Sequence, residues 1–554
     1  MTFHAHPVPP VPDATAAATL AAFPNGNPYV SLREELGTLF TDELFADWFA
    51  PVGAPVEIAP WRLALVLVLQ ELELLSDRQA ADNVRRCLDW KYLLSLELTD
   101  PGFDYSLLHD FRDRILANQA EQQLLDALLN AFKARGLLKA RGRQRTDATH
   151  VLANVRTLNR IECVGETLRH ALEVLATVAP AWLQPLMKPE WLDRYGLRVD
   201  EFRLPSKPAE RIAMAETIGQ DGRALLSALY APETPTWMRA IPAVETLRQV
   251  WVQQFVTIDQ RFQFRADDNL PPNAQQIVSP FDPEARWSRK RSMHWTGYKV
   301  HLTETADDDA PHLITHVATT PATTQDVDLT TAIHADLAER NLLPAEHIVD
   351  AAYVSSDVVV SSRTTRDIEV VGPVPPDTSW QAREKTGYDV AQFVVDWEAQ
   401  RVRCPNGKTS TVWRPGDDGR GQPVIRVWFD MPDCAACAAR PSCTKSEVRP
   451  RILKLRPQAQ HDALQAVRQA QHTDDFKQRY ARRAGVEGTI AQGTGRFGLR
   501  RTPYRGLAKT HLHHILVAIA INLTRFVAWL DDTPRPGPYP RRSRFAALAA
   551  ACSP

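Results

Sequence analysis

The sequence predicts an α/β protein in which a mixed sheet is flanked by helices, interrupted by an inserted subdomain and preceded by an all-α N-terminal domain. Three observations point there. Residues 30–140 carry long Leu-rich amphipathic segments with few β-branched runs, the pattern of helices rather than strands. From 143 onward, alternating or short β-branched runs recur at 143–157, 294–305, 312–320, 345–353 and 367–374, with a helical pattern at about 326–340. The order strand, hairpin, helix, strand, strand describes a mixed core with helices covering a sheet. Finally, Gly, Pro, Trp and Cys crowd into 375–472 before helices resume at 473, which marks an insertion. A chain of 554 residues is also too long for one core.

Taken in order, residues 1–29 are rich in Pro and Ala and predict a disordered arm. The helical domain, 30–140, offers an N-cap at Ser76 or Asp77, a break at "TDPG" and a new helix starting near Asp104 to Ser106. Residues 141–374 form the first part of the core. They begin with the strand "RQRTDATHVLANVRT", and a helical insertion with Pro-punctuated loops follows at about 165–275. "HWTGYKVHLTET" and "HLITHVATT" predict paired strands, "AEHIVDAAY" a short buried strand ending at Asp350, and "DIEVVGPV" another strand. The inserted subdomain spans 375–472. Residues 473–531 are the C-terminal helices, with Thr473 as a cap and Asp474 and Asp475 in the favourable first turn. If the first of these helices continues past Gly485, Tyr480, Arg483 and Glu487 share one face. Residues 532–554 predict a flexible basic tail.

The formal net charge is −1, so no global basic field announces a nucleic-acid partner. Charge is nevertheless segregated locally. Lys133, Arg135, Lys139, Arg141, Arg143, Arg145, Arg156 and Arg160 surround one acid, Asp147. Lys477, Arg479, Arg482, Arg483, Arg496, Arg500, Arg501, Arg505 and Lys509 surround Glu487 alone. Arg286, Arg289, Lys290, Arg291 and Lys299 form a third run without an acid. Such runs predict phosphate-facing surfaces. The opening residues lack a basic and apolar leader pattern, and the apolar stretches 61–75 and 513–530 are broken short of the roughly 20 residues of a membrane span. They predict buried core helices and a cytoplasmic protein with no membrane partner. Of seven cysteines, Cys404, Cys434, Cys437 and Cys443 cluster. Four thiolates are the number that a tetrahedral Zn²⁺ site takes, and buried unligated thiols are the alternative.

A carboxylate isolated in a basic run weakens phosphate binding unless a cation stands between them. Mg²⁺ or Mn²⁺ takes hard oxygen ligands, and a pair of ions about 3.5–4 Å apart serves phosphodiester chemistry. Asp147, Asp350 and Glu487 are the candidates, with Arg483 and Tyr480 on a neighbouring phosphate. Spacing alone leaves simpler roles open: Asp147 paired with Arg145, Asp350 capping a turn, Glu487 bridging to Arg483.

Several stretches resemble the DDE transposases of bacterial insertion sequences. "TDATHVLANV" is similar to the motif around that family's first Asp, "HIVDAAY" to the second, and "YARRAGVEGTI" to the Tyr-x2-Arg-x3-Glu signature of one branch. "SDRQAADNVRRCLDWKYLLSLELTDPGFDYSLLHDFRDR" resembles the family's helical N-terminal domain. "DPEARWSRKRSMHWTGYKVHLTET" resembles its second strand, and "GLRRTPYRGLAKTHLHHILVAIAINLTRF" its C-terminal helix. The branch places a Lys seven residues after its Glu; here that position is Thr494. The resemblance implies an RNase H-like catalytic core. It further implies Mg²⁺ or Mn²⁺ at a two-metal site on Asp147, Asp350 and Glu487, with cysteines of structural role in the insertion. DNA contacts are expected from Arg145, Arg289, Lys290, Arg291, Lys299, Tyr480, Arg483, Arg500, Arg501, Arg505 and Lys509. The implied activity is cleavage and strand transfer at the terminal repeats of an element, by a homodimer in the synaptic complex. A nuclease without strand transfer and a DNA-binding protein without activity are the other readings.

Overall fold

The computed structural model describes residues 5–531 apart from 49–55, 201, 203, 376, 385, 386 and 420. The expected tail, 532–554, lies outside the described residues.

The N-terminal region is helical. Its centre is α1, Pro60–Glu73, in which every residue from Leu63 to Leu69 is buried. Proline at the first helical position suits a site with no intrahelical acceptor for its nitrogen. Ser76 caps the next helix, Asp77–Arg86, in a reciprocal pair with Gln79. Asp104 accepts from the Ser106 amide as the helix Ser106–Ala117 begins.

The expected disorder over 1–29 gives way to a helix at Asp13–Ala22. Its buried residues are Thr15 and Thr19, whose hydroxyls donate to the Leu96 and Leu88 carbonyls at 2.8 and 3.2 Å. Docking by hydroxyl groups leaves no apolar stripe for a periodicity argument to find.

Six strands build the core sheet: β1 (Arg143–Leu152), β2 (Arg286–Lys290), β3 (Met293–Thr305), β4 (Ile314–Pro321), β5 (Glu346–Val349) and β6 (Glu369–Val371). β3 is antiparallel to β1 along one edge, and β2 and β4 lie end to end along its other edge. β1 is parallel to β5, and β5 to β6. The expected order of strand, hairpin, helix, strand, strand is present, with the helix α2 (Val327–Glu339) before β5 and α3 (Ser356–Arg366) before β6.

Alternation along β1 and β3 assigns their side chains to two faces. Thr146, His301 and Thr303 point toward α2 and the turn after β5: His301 Nδ1 lies 2.6 Å from the Tyr353 hydroxyl, and Thr146 Oγ1 lies 2.7 Å from His347 Nε2. Arg145, Asp147, Thr149 and Glu304 point to the opposite face, beneath α4 (Asp474–Ala481), α5 (Ala484–Arg496) and α6 (Leu507–Leu530).

The two apolar stretches expected to be core helices, in α1 and α6, pack against each other. α6 is long and apolar enough to cross a membrane by length and composition, but 72% of its apolar window is buried inside the protein. Asn522 fixes its registry by accepting from the Ile314 amide at 2.7 Å and donating to the Ile314 carbonyl at 2.8 Å. Two further cores lie outside the sheet. The helices between Arg160 and Gln254, with the hairpin Phe255–Phe264, enclose Leu168, Trp191, Leu225 and Trp251. The later insertion folds two small sheets around Phe393, Val402, Val427, Phe429 and Leu453.

Candidate active site

β1 and β5 run parallel with Thr146 opposite Val349. Asp147 is the next residue of β1 and Asp350 the first after β5, near enough for Asp147 to act on the Asp350 carboxyl. Asp147 Oδ1 accepts from the Ala148 amide at 2.8 Å, and Asp350 Oδ1 accepts from the Ala352 amide at 2.8 Å. The second bond caps a short turn, the simpler role open to Asp350 from sequence; its position beside Asp147 comes in addition. Burial pushes the Asp350 carboxyl above the ordinary carboxylate range, against the Ala352 amide, and Asp147 and Asp326 push in the same direction.

Glu487 reaches this corner from above. Thr473 caps α4 by accepting from the Phe476 amide, with Asp474 and Asp475 in the first turn, as expected. The helix does not run through to Glu487. At Arg482 and Arg483 the chain tightens into bonds between residues three apart: Arg483 N to Tyr480 O at 2.9 Å, Gly485 N to Arg482 O at 3.2 Å and Val486 N to Arg483 O at 3.1 Å. α5 then starts at Ala484, placing Glu487 in its first turn.

Arg483 links the two elements. Its Nη1 donates to Asp147 Oδ2 at 2.9 Å and its Nη2 to Glu487 Oε1 at 2.5 Å. The expected pairing of Arg483 with Glu487 is thus present, joined by a bond to Asp147 that sequence spacing could not show. Tyr480 is half-buried, stacked on Phe476 at 5.9 Å. Burial raises its hydroxyl above the ordinary tyrosine range. Asp326, close enough to act on Asp350, pairs with Lys299 at 2.8 Å.

The basic residues separate into groups. Arg289, Lys290 and Arg291 are exposed around the turn between β2 and β3. Arg501 and Arg505 are exposed, while Arg500 is half-buried and donates to Thr149 Oγ1 at 2.7 Å. Lys509 pairs with Asp113 of the N-terminal helices at 2.8 Å, and Lys299 is held by Asp326 and by the Thr324 carbonyl at 2.7 Å. Arg145 departs furthest from expectation. It is 4% exposed, and its partners are Glu304, His312 and the Arg482 carbonyl, so phosphate cannot reach it without unpacking the core. Thr494, at the position of the branch's Lys, turns its hydroxyl back to the Ile490 carbonyl at 2.7 Å.

The reading from sequence missed Glu304, Thr489 and Arg525. Glu304 lies on a strand buried on both faces, so alternation does not single it out. Its meaning appears only with the register that pairs it with Arg145.

In the insertion, Cys404, Cys434, Cys437 and Cys443 line one cavity. The Lys408 amide donates to Cys404 Sγ at 3.3 Å, and Asn406 Nδ2 to Cys437 Sγ at 3.1 Å. Burial pushes the Cys443 thiol up to about 11, with Arg451 opposing. Among the described residues, no group of three or more His, Cys, Asp or Glu side chains is assembled to hold a metal ion, at the carboxylates or at the thiols.

Comparison with known families gives two matches. Residues 403–527 match a family described as a transposase DDE domain, and residues 18–114 match one described as a transposase domain (DUF772). The first segment contains Glu487, Arg483 and the four clustered cysteines; Asp147 and Asp350 lie outside both. No curated protein and no solved structure matches the chain. At the level of family, the chain is similar to transposases in two separate segments, its N-terminal helices and the region that carries Glu487.

Proposed function

We propose that this protein is a DDE transposase with an RNase H-like core, binding the ends of its element and catalysing metal-dependent DNA cleavage and strand transfer. The observation that carries the reading is the register of β1 against β5, which sets Asp147 beside Asp350 while Arg483 ties Asp147 to Glu487. Arg483, which holds Glu487, reaches Asp147 across 336 residues of chain. Asp147 and Glu487 share Arg483, and Asp147 acts on Asp350; carboxylates grouped in this way support a reading of phosphoryl chemistry.

By chemical type the donors suit Mg²⁺ or Mn²⁺. All three groups offer hard oxygens, and the burial and like charge that burden Asp350 are relieved by a cation. Asp147, Asp350 and Glu487 would hold the ions, which supply charge neutralisation and an activated oxygen nucleophile. Arg483, now bonded to Asp147 and Glu487, would turn to a DNA phosphate and keep the scissile group in place. Tyr480 stands beside it on the same helix end. Arg289, Lys290, Arg291, Arg501 and Arg505 contribute phosphate contacts that orient the DNA without reading it. The N-terminal helices, tied to α6 through Lys509 and Asp113, bind the terminal repeats, and two copies form the synaptic complex. The thiol-lined cavity is where one structural Zn²⁺ would bind, four sulfurs being the number a tetrahedral site takes and two N–H groups donating to sulfur.

Incubating the purified protein with linear DNA carrying the ends of its element, in Mg²⁺, tests the reading. Nicked ends and their joining to a target plasmid are the expected products. Absence of both, with ends bound, would overturn it.

A further inference from the structure

The turn between α4 and α5 decides where Arg483 and Glu487 stand, and its geometry is held from the sheet below. Arg145, in the middle of β1, is buried with its guanidinium fully engaged. Nε and Nη2 meet Glu304 Oε1 at 2.7 Å, Nη2 meets His312 Nδ1 at 2.8 Å, and Nη1 donates to the Arg482 carbonyl at 2.6 Å. The last bond falls on the residue before Arg483. That carbonyl also accepts from the Gly485 amide at 3.2 Å, so Arg145 takes its second lone pair.

Glu304 is shared. Its Oε2 accepts from Thr489 Oγ1 at 2.5 Å and from Arg525 Nη1 at 2.7 Å. Arg525 also donates to Gln492 Oε1 at 3.0 Å and to Thr489 Oγ1 at 2.6 Å. Two guanidinium groups and one carboxylate thus grip α5 at its start and along its middle, on either side of Glu487. The sequence carries a mark of this packing. A Cβ at Gly485 would lie 2.1 Å from Arg145 Nη1 and 2.2 Å from its Cζ. The Arg145 tip cannot move aside without giving up Glu304 and the Arg482 carbonyl. Glycine in a helix costs about 1 kcal/mol relative to alanine, and here the missing side chain is what lets the guanidinium reach the turn.

We infer that Arg145 is a positioning residue: packed against Gly485 and bonded to the Arg482 carbonyl, it sets the place of Arg483 and Glu487 relative to Asp147. This rests on the reading of those three residues as the active site. A role confined to stability would predict something different, because breaking a buried charge pair lowers melting temperature without altering the rate of molecules that remain folded.

Gly485→Ala in the full-length protein separates the two. It removes no charge and adds one methyl group against Arg145. Gly488→Ala is the control, because a Cβ there meets nothing within 4 Å. Single-turnover cleavage of pre-bound element ends and Mn²⁺ binding in the absence of DNA are the readouts. Gly485→Ala is expected to slow cleavage about 10- to 100-fold and to weaken Mn²⁺ binding, with end affinity changed less than about twofold and Gly488→Ala like wild type. Arg145→Lys, which keeps a cation for Glu304 but loses the planar fork, should repeat the pattern. Gly485→Ala protein that cleaves and binds Mn²⁺ as wild type does, whatever its melting temperature, would overturn the inference. So would an equal loss in Gly488→Ala, which would trace the effect to the helix rather than to Arg145. Wild-type protein that neither binds Mn²⁺ nor cleaves DNA would remove the proposed function itself.

Discussion

Arg483 donates to Asp147 across 2.9 Å although 336 residues separate them in the chain. The same guanidinium holds Glu487, so one cation joins the strand-borne and helix-borne carboxylates. Asp147 holds Arg483 charged even though burial works against it. Removing the guanidinium takes from Asp147 and Glu487 the counter-charge they share, and Asp147 also acts on Asp350.

Arg483→Ala should therefore separate rate from stability. The pair with Glu487, one helical turn apart, contributes only about 0.3–0.5 kcal/mol; the largely buried pair with Asp147 adds to that, so a modest fall in melting temperature is expected. Removing a phosphate clamp beside the reacting bond costs on the order of 100-fold in rate. Single-turnover cleavage of a pre-bound end, read beside a melting curve, checks this. A near-normal rate would confine Arg483 to its salt bridges.

The exposed turn residues and Lys299 should differ in their salt response. Replacing Arg289, Lys290 and Arg291 with Ala should make the slope of log affinity against log salt shallower by about 0.9 for each phosphate that the protein no longer neutralises. Lys299→Ala should leave that slope alone, because Asp326 and the Thr324 carbonyl already hold its ammonium. Fluorescence anisotropy on labelled ends at several salt concentrations measures both. Equal slopes for the triple variant and wild type would detach the turn from DNA.

The thiol-lined cavity predicts about one Zn²⁺ per chain by elemental analysis. A chelator should lower the melting temperature of the protein, and Cys434→Ser should abolish that response. Folded, active protein without zinc would refute the site.

Acidification should weaken the fold through buried histidines. Burial pushes His301 and His334 down to about 4. Their neutral forms are therefore favoured in the folded state, and the stability they contribute is present above the unfolded value near 6.5. It is lost as pH falls from there toward 4, at about 2 kcal/mol each by pH 5. Urea unfolding at pH 7 and pH 5 should show the loss, and His334→Gln should reduce it. Equal stability at the two pH values would contradict the assignment.

Much of the core could be read from sequence because each element carried its own local signal. Ser76 and Thr473 announce helix starts, period-two runs announce β3 and β4, and "HIVD" ends its strand where Asp350 begins the turn. Long-range relationships were not legible. Arg145 sits in a basic run and reads as a phosphate ligand until the register opposite Glu304 turns it inward. The bend at Arg482 has no side-chain cap to reveal it, because the group that stabilises it is the Arg145 guanidinium from a distant strand.

The most direct measurement of the central claim is Mg²⁺-dependent cleavage and joining of element ends by Asp350→Asn beside wild type, with end binding measured on the same samples. The account predicts that Asp350→Asn, nearly isosteric and freed of a carboxylate disfavoured by burial, folds and binds ends as wild type does while yielding neither nicked nor joined product. Cleavage at the wild-type rate by Asp350→Asn would contradict it.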